Sequence, residues 1–309
     1  MAHFHFQLAN HYYGGLYMID DIVSPVVAGL RAQGHRVTMD FLPDLPTWPS
    51  VIVLLEFFYQ DHIVDSFLQW KTAPDARKCL GLICTEDIHD KLVMEHPDHI
   101  GRDRNLLRVL PHCDFVWPMV PSDYDKHVPA DRLAFLDFGY VETLRRDGLP
   151  PGQRDIDVLL YGSINDRRRS VLEKLKARGL TVAATRGMLP DYMRDSLIAR
   201  SRVVLDIRRG DDVKFTSPTR ICAALQMGAT VVSEKFDTSR LGFLYPYTQA
   251  VPFEDIVEAT VEVARRPDCI ELGLAARERF ARDTSMAANL ARAMELPIFR
   301  ELAMTGGAP

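Results

Sequence analysis

Two kinds of hydrophobic pattern alternate along most of this chain. Short apolar runs rich in β-branched residues, such as VIVLLE and DVLLYG, are typical of buried strands. Between them lie segments such as DRRRSVLEKLKARG, in which apolar residues recur three and four positions apart, as on one face of a helix. The alternation predicts an α/β fold with largely parallel sheets and helices on both faces.

The pattern also predicts two domains. In the N-terminal half we predict strands in HFHFQLA, RVTMDF, SVIVLLE, KCLGLICTED, DFVWPM and LAFLDFGY, with helices from about 20 to 33 and from about 61 to 70. Between Glu142 and Arg154 the chain turns polar and contains GLPPGQ, which favours an extended linker. We therefore predict two doubly wound, Rossmann-like domains, residues 1–145 and 155–309, with ligands bound in the cleft between them. The second domain ends in a helical tail after Pro252.

The first strand-to-helix turn of the second half has features of an anion site. DVLLYGS ends a strand and DRRRSVLEKLKARG begins a helix, so Gly162, Ser163 and Asn165 occupy the turn. A glycine lets the backbone approach a phosphate closely, and a helix start offers unpaired N–H groups. Arg167 and Arg168 add positive charge where it opposes the helix dipole. A bound anion would explain these residues; the alternative is a simple glycine turn followed by a solvated basic helix start.

The next strand-to-helix turn repeats the arrangement. VVLDI reads as a buried strand, and the loop after it carries Arg208 and Lys214. Ser217 is a good N-cap, and the proline after it suits the first helical position. Thr219 and Arg220 fall in that first turn, so two basic helix starts are predicted to flank one crevice at the carboxyl ends of the strands.

At these residues the chain resembles a known family. DVLLYGSINDRR, LIARSRVVLDI, the helix from Arg220 to Gly228 and VVSE look like the nucleotide-sugar half of GT-B glycosyltransferases. More narrowly they resemble the bacterial group related to the spore-maturation protein CgeB, often called family 1-like glycosyltransferases. The resemblance is strongest over residues 155 to 260. Many related enzymes carry a ribose-binding glutamate where this chain has Ala223, so the resemblance implies that Glu234 takes that role or that the role is absent.

The resemblance implies an enzyme that moves a sugar, of hexosyltransferase type, from a nucleotide-diphosphate sugar to an acceptor that the sequence does not identify. Helix N-terminal amides, with Arg167, Lys214 and Arg220, would stabilise the leaving diphosphate without a metal or other cofactor. Two alternatives use the same fold: a nucleotide-sugar epimerase, and a non-catalytic protein that binds nucleotide sugars. A third, a partner-binding protein, would need no nucleotide at all.

Three residues of the N-terminal half are candidates for the catalytic base. Glu86 and Asp87 follow the predicted strand LGLIC, where a buried carboxylate of raised pKa could accept a proton from an acceptor hydroxyl. Acidic residues at a helix start are also explained by capping alone. His11 lies in the first strand-to-helix turn, ANHYYGG, as a further base or as a histidine with a structural hydrogen bond.

Composition and charge narrow the functional classes. With 47% apolar and 26% charged residues the chain is an ordinary globular one, and a net charge of −5 argues against a general nucleic-acid binder. No apolar run approaches the roughly 20 residues of a membrane span. The five cysteines show no zinc spacing, and MAHFHFQLAN has no signal-peptide pattern, so we expect free thiols in a bacterial cytoplasm. No acidic or histidine cluster has the geometry of a metal site, and the oligomeric state stays open.

Overall fold

The computed structural model describes residues 1–9, 19–42, 45–46, 51–56, 58, 60–73, 79–85, 101–120, 123–187, 189–210, 217–235 and 241–305. The chain divides into two compact units. The first unit comprises Met1–Leu16, Val26–Asp137 and Ala287–Pro309, and the second comprises Tyr17–Pro25 and Phe138–Met286. The last 23 residues, 287–309, thus cluster with the first unit, whereas the sequence pattern assigns them to the second domain.

The first unit contains a parallel five-stranded sheet. Its strands are β1 (His3–Gln7), β2 (Arg36–Asp40), β3 (Val51–Leu55), β4 (Cys79–Cys84) and β5 (Phe115–Pro118), in the order β2-β1-β3-β4-β5. Its helices are α2 (Asp61–Thr72), α3 (Arg102–Val109) and α10 (Pro297–Thr305), and the helix α1 (Asp20–Ala32) begins in the second unit and ends in the first. All residues of β3 are fully buried, as expected for a central strand covered on both faces.

The second unit contains another parallel five-stranded sheet. Its strands are β6 (Ile156–Gly162), β7 (Val182–Arg186), β8 (Ser201–Asp206), β9 (Thr230–Glu234) and β10 (Gln249–Val251), in the order β10-β9-β8-β6-β7. Its helices are α4 (Asp166–Ala177), α5 (Asp191–Ala199), α6 (Pro218–Gln226), α7 (Ile256–Arg265) and α8 (Cys269–Asp283), and α9 (Met286–Ala293) continues into the first unit. The two parallel sheets with flanking helices confirm the predicted doubly wound α/β class.

Most predicted strands and helices are present, with one exception. LAFLDFGY, predicted as a strand, makes only isolated bridges, from Leu133 to Val116 and from Tyr140 to Ser285. It runs beside β5 for a few residues, and Leu136 donates its N–H to the carbonyl of Pro118. Because Pro118 has no N–H to return, the ladder cannot be completed at that point.

Two other sequence expectations concern the whole chain. All five cysteines are free and buried, which confirms the prediction of free thiols. Within the described ranges, no helix has the length and apolar character needed to cross a membrane.

Candidate functional site

The candidate site lies at the carboxyl ends of neighbouring strands in the second unit. Strands β6 and β8 are adjacent in the sheet although β7 separates them in the chain, so the strand order reverses between them. In open α/β sheets a crevice forms at such a switch point, outside the carboxyl ends of the strands. Here β6 ends at Gly162 and β8 ends at Asp206.

Gly162 is required for two structural reasons. Its φ of 107° lies in the region that favours glycine. A Cβ at this position would also lie 3.0 Å from Nη2 of Arg220, which donates a 2.9 Å hydrogen bond to the carbonyl of Tyr161. The glycine therefore makes the turn and leaves space for an arginine side chain.

Both helices that start at the strand ends of this site have side-chain caps. The side chain of Asn165 accepts a hydrogen bond from the N–H of Arg168 at the start of α4. Ser217 accepts from the N–H of Arg220 at the start of α6, where Pro218 is the first residue. Each cap uses one of the N–H groups that a helix start leaves without an intrahelical partner. The N-cap predicted at Ser217 is confirmed.

Glu234, at the end of β9, binds two arginines. Its Oε2 accepts a 2.8 Å hydrogen bond from Arg167 Nη1, and its Oε1 accepts from Arg167 Nη2 and from Arg208 at 2.7 Å each. The backbone N–H of Arg208 also donates to Oε2 at 3.0 Å. The guanidinium of Arg167 lies 3.4 Å from the ring centroid of Phe253, where a cation–π contact adds to the pairing. Both carboxylate oxygens of Glu234 are thus engaged within the protein.

Asp206, at the end of β8, binds Arg220. The Nη1 of Arg220 donates to Asp206 Oδ1, and both side chains are buried. Next to this pair, Arg168 donates to the carbonyls of Ile207 and Ser163, which ties the start of α4 to the ends of β6 and β8. Arg220 is thus a buried ion-pair partner, whereas the sequence suggests a residue beside open N–H groups.

Together these six side chains form what we call the arginine cluster: Arg167, Arg168, Arg208 and Arg220 with Asp206 and Glu234. Both carboxylates are 0% exposed, and Arg168, Arg208 and Arg220 are 6%, 8% and 6% exposed. Within the described part of the chain, this cluster thus brings four guanidinium groups together with two carboxylates.

The pKa values of the cluster reflect burial and charge. Burial, followed by the charge of Arg220, lowers the pKa of Arg168 to about 10. Burial raises the pKa of Asp206 despite its arginine neighbours. Burial alone would also raise the pKa of Glu234, but the hydrogen bonds from Arg167 and Arg208 outweigh it, so this pKa lies below its ordinary value. The arginine cluster thus holds Glu234 as a carboxylate.

Other predicted residues fall on the rim of the crevice or outside the described ranges. Ser163 is exposed at the β6 turn, and Thr219 is half-buried in the first turn of α6, with its Oγ1 3.1 Å from Ser217 Oγ. The candidate bases Glu86, Asp87 and His11, and the candidate phosphate ligand Lys214, lie outside the residues that the structure describes.

The sequence does not single out two acidic residues that the structure places at strand ends. The first is Asp206, which could have been found from the sequence as an acidic residue that directly follows the apolar residues of the run VVLD. Glu56 follows β3 at the switch point of the first sheet and is buried. Its Oε1 accepts from the N–H and Oγ1 of Thr85 at 2.7 Å each, and Tyr124 donates to its Oε2 at 3.0 Å. Glu56 thus holds the residue that follows β4.

A pocket lies beside α6 within the second unit. It is lined by the starts of α1 and α5, by one side of α6 and by the segment from 138 to 146. Its charged lining residues are Asp20, Asp21, Asp191, Asp195, Arg146 and Arg194. Thr219 also lines it, so the pocket reaches the first turn of α6, where the arginine cluster begins.

In the part of the chain that the structure describes, no three His, Cys, Asp or Glu side chains come together in a way that could hold a metal ion. Metal independence of the chemistry stays a prediction.

Comparison with known proteins identifies the fold. No family model matches the chain, and no curated protein matches it. Among solved structures it is similar to an alpha-glucosyltransferase in complex with UDP and a 13-mer DNA containing a HMU base, with a TM-score of 0.68 and 8% identity over 96% of this chain and 99% of that one. It is also similar to AviGT4, a glycosyltransferase involved in avilamycin A biosynthesis, with a TM-score of 0.55 and 12% identity over 99% of each chain.

TarM gives a third match, with a TM-score of 0.54 and 10% identity over 80% of this chain. The chain spans 54% of the length of TarM. Two five-stranded parallel sheets and these structural neighbours together show that the chain has the two-domain α/β fold of GT-B glycosyltransferases. At identities this low the similarity establishes the fold, and the narrower resemblance to the CgeB-related group stays a prediction.

Proposed function

We propose that this protein is a glycosyltransferase that takes its sugar from a nucleoside-diphosphate sugar bound at the arginine cluster. The observation that carries the proposal is that four arginines and the N-termini of two capped helices converge at the switch point of the second sheet. Guanidinium groups and helix N-terminal N–H groups are donors well suited to phosphate oxygens. A diphosphate would fit these donors.

The helix starts would act with the arginines. The N-termini of α4 and α6 reach the same crevice, and each adds N–H donors and the positive end of a helix dipole. When the sugar is transferred, the leaving diphosphate gains negative charge. Donors that are already in place stabilise this charge in the transition state without reorganising, which is usually a large part of catalysis. Such a site needs no metal.

Within this proposal Glu234 is a positioning residue. Both of its oxygens hold Arg167 and Arg208, so it would orient these two guanidinium groups toward the crevice. This role differs from the ribose contact that the family resemblance implies for Glu234. The base that takes the acceptor proton would be Glu86, with Asp87 and His11 as alternatives.

The neighbours support the choice of donor. Three alpha-glucosyltransferase structures contain UDP, at TM-scores of 0.68, 0.59 and 0.55, and a fourth contains UDP-glucose, at a TM-score of 0.58.

The acceptor is a separate question. Some of these neighbouring structures also contain DNA. The net charge of −5 favours an acceptor other than nucleic acid for this chain.

UDP binding tests the proposal directly. We expect UDP to raise the melting temperature of the full chain, with and without EDTA, because it binds the native state alone. Uridine, which lacks the diphosphate, should have a much smaller effect. Arg167→Gln should weaken UDP binding about 10-fold or more, since it removes one charge-assisted contact.

Arg178→Gln is the matched control, because Arg178 also pairs with a glutamate, Glu258, but on the exposed surface. It should leave UDP affinity unchanged. If no nucleoside diphosphate stabilises the protein, the arginine cluster is purely structural and the proposal is wrong. If UDP-glucose binds and is isomerised, the protein is an epimerase on the same fold. If UDP-glucose binds but stays unchanged when acceptors are supplied, the protein is a non-catalytic binding protein on the same fold.

A further inference from the structure

The pocket beside α6 differs in charge from the arginine cluster, which it adjoins at Thr219. Its lining includes four aspartates, Asp20, Asp21, Asp191 and Asp195, and two arginines, Arg146 and Arg194. We call it the aspartate pocket. Its charge is opposite to that of a site for a diphosphate, so the two sites would contact different parts of a substrate pair.

One arginine of the aspartate pocket is already neutralised. Arg194 binds Asp21 and also contacts Asp195, with 2.8 Å between Nη2 and Oδ1. This group of three carries a net negative charge. The other arginine, Arg146, is exposed, and its Nη1 donates to the backbone carbonyls of Thr143 and Arg145.

Two carboxylates of the pocket make hydrogen bonds only to neutral groups among the described residues. Asp20 accepts a 2.7 Å hydrogen bond from Ser24 Oγ, and Asp191 accepts from the N–H of Tyr192. Both stand in the first turn of a helix, where an acidic residue is favoured by the dipole alone. Their presence therefore does not by itself indicate a ligand.

Gln226 supplies an independent observation. This residue of α6 lines the aspartate pocket and is only 7% exposed. Its Oε1 is buried and has no hydrogen-bond partner among the described residues. A buried acceptor without a donor costs about 1–3 kcal/mol. The helix dipoles of α1 and α5 do not explain it, whereas a ligand that donates hydrogen bonds does.

We propose that the aspartate pocket binds a protonated amine carried by a sugar, so that a substrate of this protein is an amino sugar. An ammonium group is a pure donor with positive charge. It would satisfy Gln226 Oε1 and lie among the carboxylates of Asp20 and Asp191, while the rest of the sugar extends past Thr219 toward the arginine cluster. This proposal rests on the transferase function proposed above.

The first test compares sugars that differ in charge. Ligand-observed NMR titrations of the full chain would use glucosamine, with glucose and N-acetylglucosamine as neutral controls. We expect glucosamine to bind at least 10-fold more tightly than either control. Equal affinity for the three sugars would overturn the proposal.

Variants then test the pocket itself. The double variant Asp20→Asn/Asp191→Asn keeps polar side chains of nearly the same size but removes two charges, and it should abolish the preference for glucosamine. Asp166→Asn is the matched control, because Asp166 is an exposed acidic residue in the first turn of α4, outside the pocket. It should keep the preference. A preference that survives the double variant would also overturn the proposal.

Gln226→Met tests the unpartnered acceptor. Methionine has a similar length and needs no hydrogen bond, so the unliganded melting temperature should stay the same or rise. Affinity for glucosamine should fall about 5-fold or more. A drop in melting temperature with unchanged glucosamine affinity would show that Gln226 is only structural and would count against the proposal.

UDP separates this inference from the function on which it rests. UDP should stabilise the wild-type protein and the Asp20→Asn/Asp191→Asn variant alike. If UDP has no effect on the wild type, the transferase proposal fails. If UDP binds but glucosamine shows no advantage over glucose, only the amino-sugar inference fails.

The amine could belong to the donor or to the acceptor, and both are sources of the same chemistry. An amino sugar on the donor predicts that UDP-glucosamine binds more tightly than UDP-glucose. An amino sugar as acceptor predicts that free glucosamine binds the UDP-saturated protein. Failure of both measurements would contradict the proposal.

Discussion

At the scale of single residues, burial decides what the basic side chains of this protein do. Arg168 and Arg220 donate to carbonyls and to Asp206, and they link the ends of β6 and β8 to the helices that follow. Arg167 and Arg208 are held by Glu234. The arginines of the proposed donor site are therefore held in place by the protein itself, which would reduce the entropy lost when a diphosphate binds.

Arg220 is expected to matter for stability as well as for binding. Arg220→Met leaves Asp206 buried without its cation, and breaking a buried pair in this way typically costs about 3–5 kcal/mol. We expect a loss of that size in urea denaturation. The double variant Arg220→Met/Asp206→Leu removes both charges and should recover most of the loss.

Arg178→Met serves as the control, because its pairing with Glu258 is exposed and should contribute little. Unchanged stability in Arg220→Met would show that Asp206 does not depend on Arg220. The ligand role suggested by the sequence would then be the better description of this arginine.

At the scale of strands, helices and turns, the candidate site is formed by the N-terminal ends of two helices, α4 and α6. Asn165 and Ser217 cap α4 and α6 at adjacent strand ends, and Gly162 makes the turn that lets β6 lead into α4. These starts lie at the point where strand order reverses, which is where open α/β sheets form a ligand-binding crevice. The turn is thus as important to the site as the charged side chains.

Gly162→Ala tests the turn. Alanine at a positive φ costs about 1–2 kcal/mol, and its Cβ would also press on Arg220 at 3.0 Å, which adds a packing cost of about 1–3 kcal/mol. The control is Gly179→Ala, since Gly179 has a φ of 81° but nothing within 4 Å of a Cβ. Chemical denaturation should therefore show a larger loss for Gly162→Ala than for Gly179→Ala. Equal losses would mean that only backbone strain matters.

Local signals in the sequence were sufficient for most of these features. The cap at Ser217, the turn at Gly162 and the helix end at Gly228 follow from residue preferences that act within a few positions, whereas the sequence places Asn165 only in the turn and does not identify it as a cap. The edge strand β7 has a weaker signal, because its TVAATR sequence is only partly buried and lacks a clear apolar run. Edge positions need little hydrophobicity, so pattern alone does not distinguish them from loops.

The partners of the charged residues could not be predicted in the same way. Glu234 meets Arg167 and Arg208 because three strand ends converge, and Asp206 meets Arg220 across a loop. Such pairs depend on sheet order, which sequence periodicity does not specify. The aspartate pocket could not be predicted for the same reason, since the fold brings its residues together from α1, α5, α6 and the segment from 138 to 146.

At the scale of the whole molecule, the end of the chain belongs to the first unit. The pattern of apolar residues after Pro252 predicts helices correctly but contains no information about which sheet they cover. In the structure Phe299 of α10 packs against Phe4, Phe115 and Trp117, and the indole of Trp117 donates a 3.3 Å hydrogen bond to the carbonyl of Ala293. The first unit is therefore complete only with residues from both ends of the chain.

Phe299→Ala tests this assignment. Removing a buried phenylalanine typically costs about 3–5 kcal/mol, and here it would also remove ring contacts with three aromatic neighbours. We expect Phe299→Ala to destabilise the first unit, as measured by the tryptophan fluorescence of the protein during chemical denaturation. Met304→Ala, on the exposed side of the same helix, should have almost no effect on stability. UDP should still bind the native form of Phe299→Ala, because its proposed site lies in the second unit. A variant that keeps its stability would show that α10 contributes little to the core of the first unit, and that the first sheet is stabilised by residues 1–137 alone.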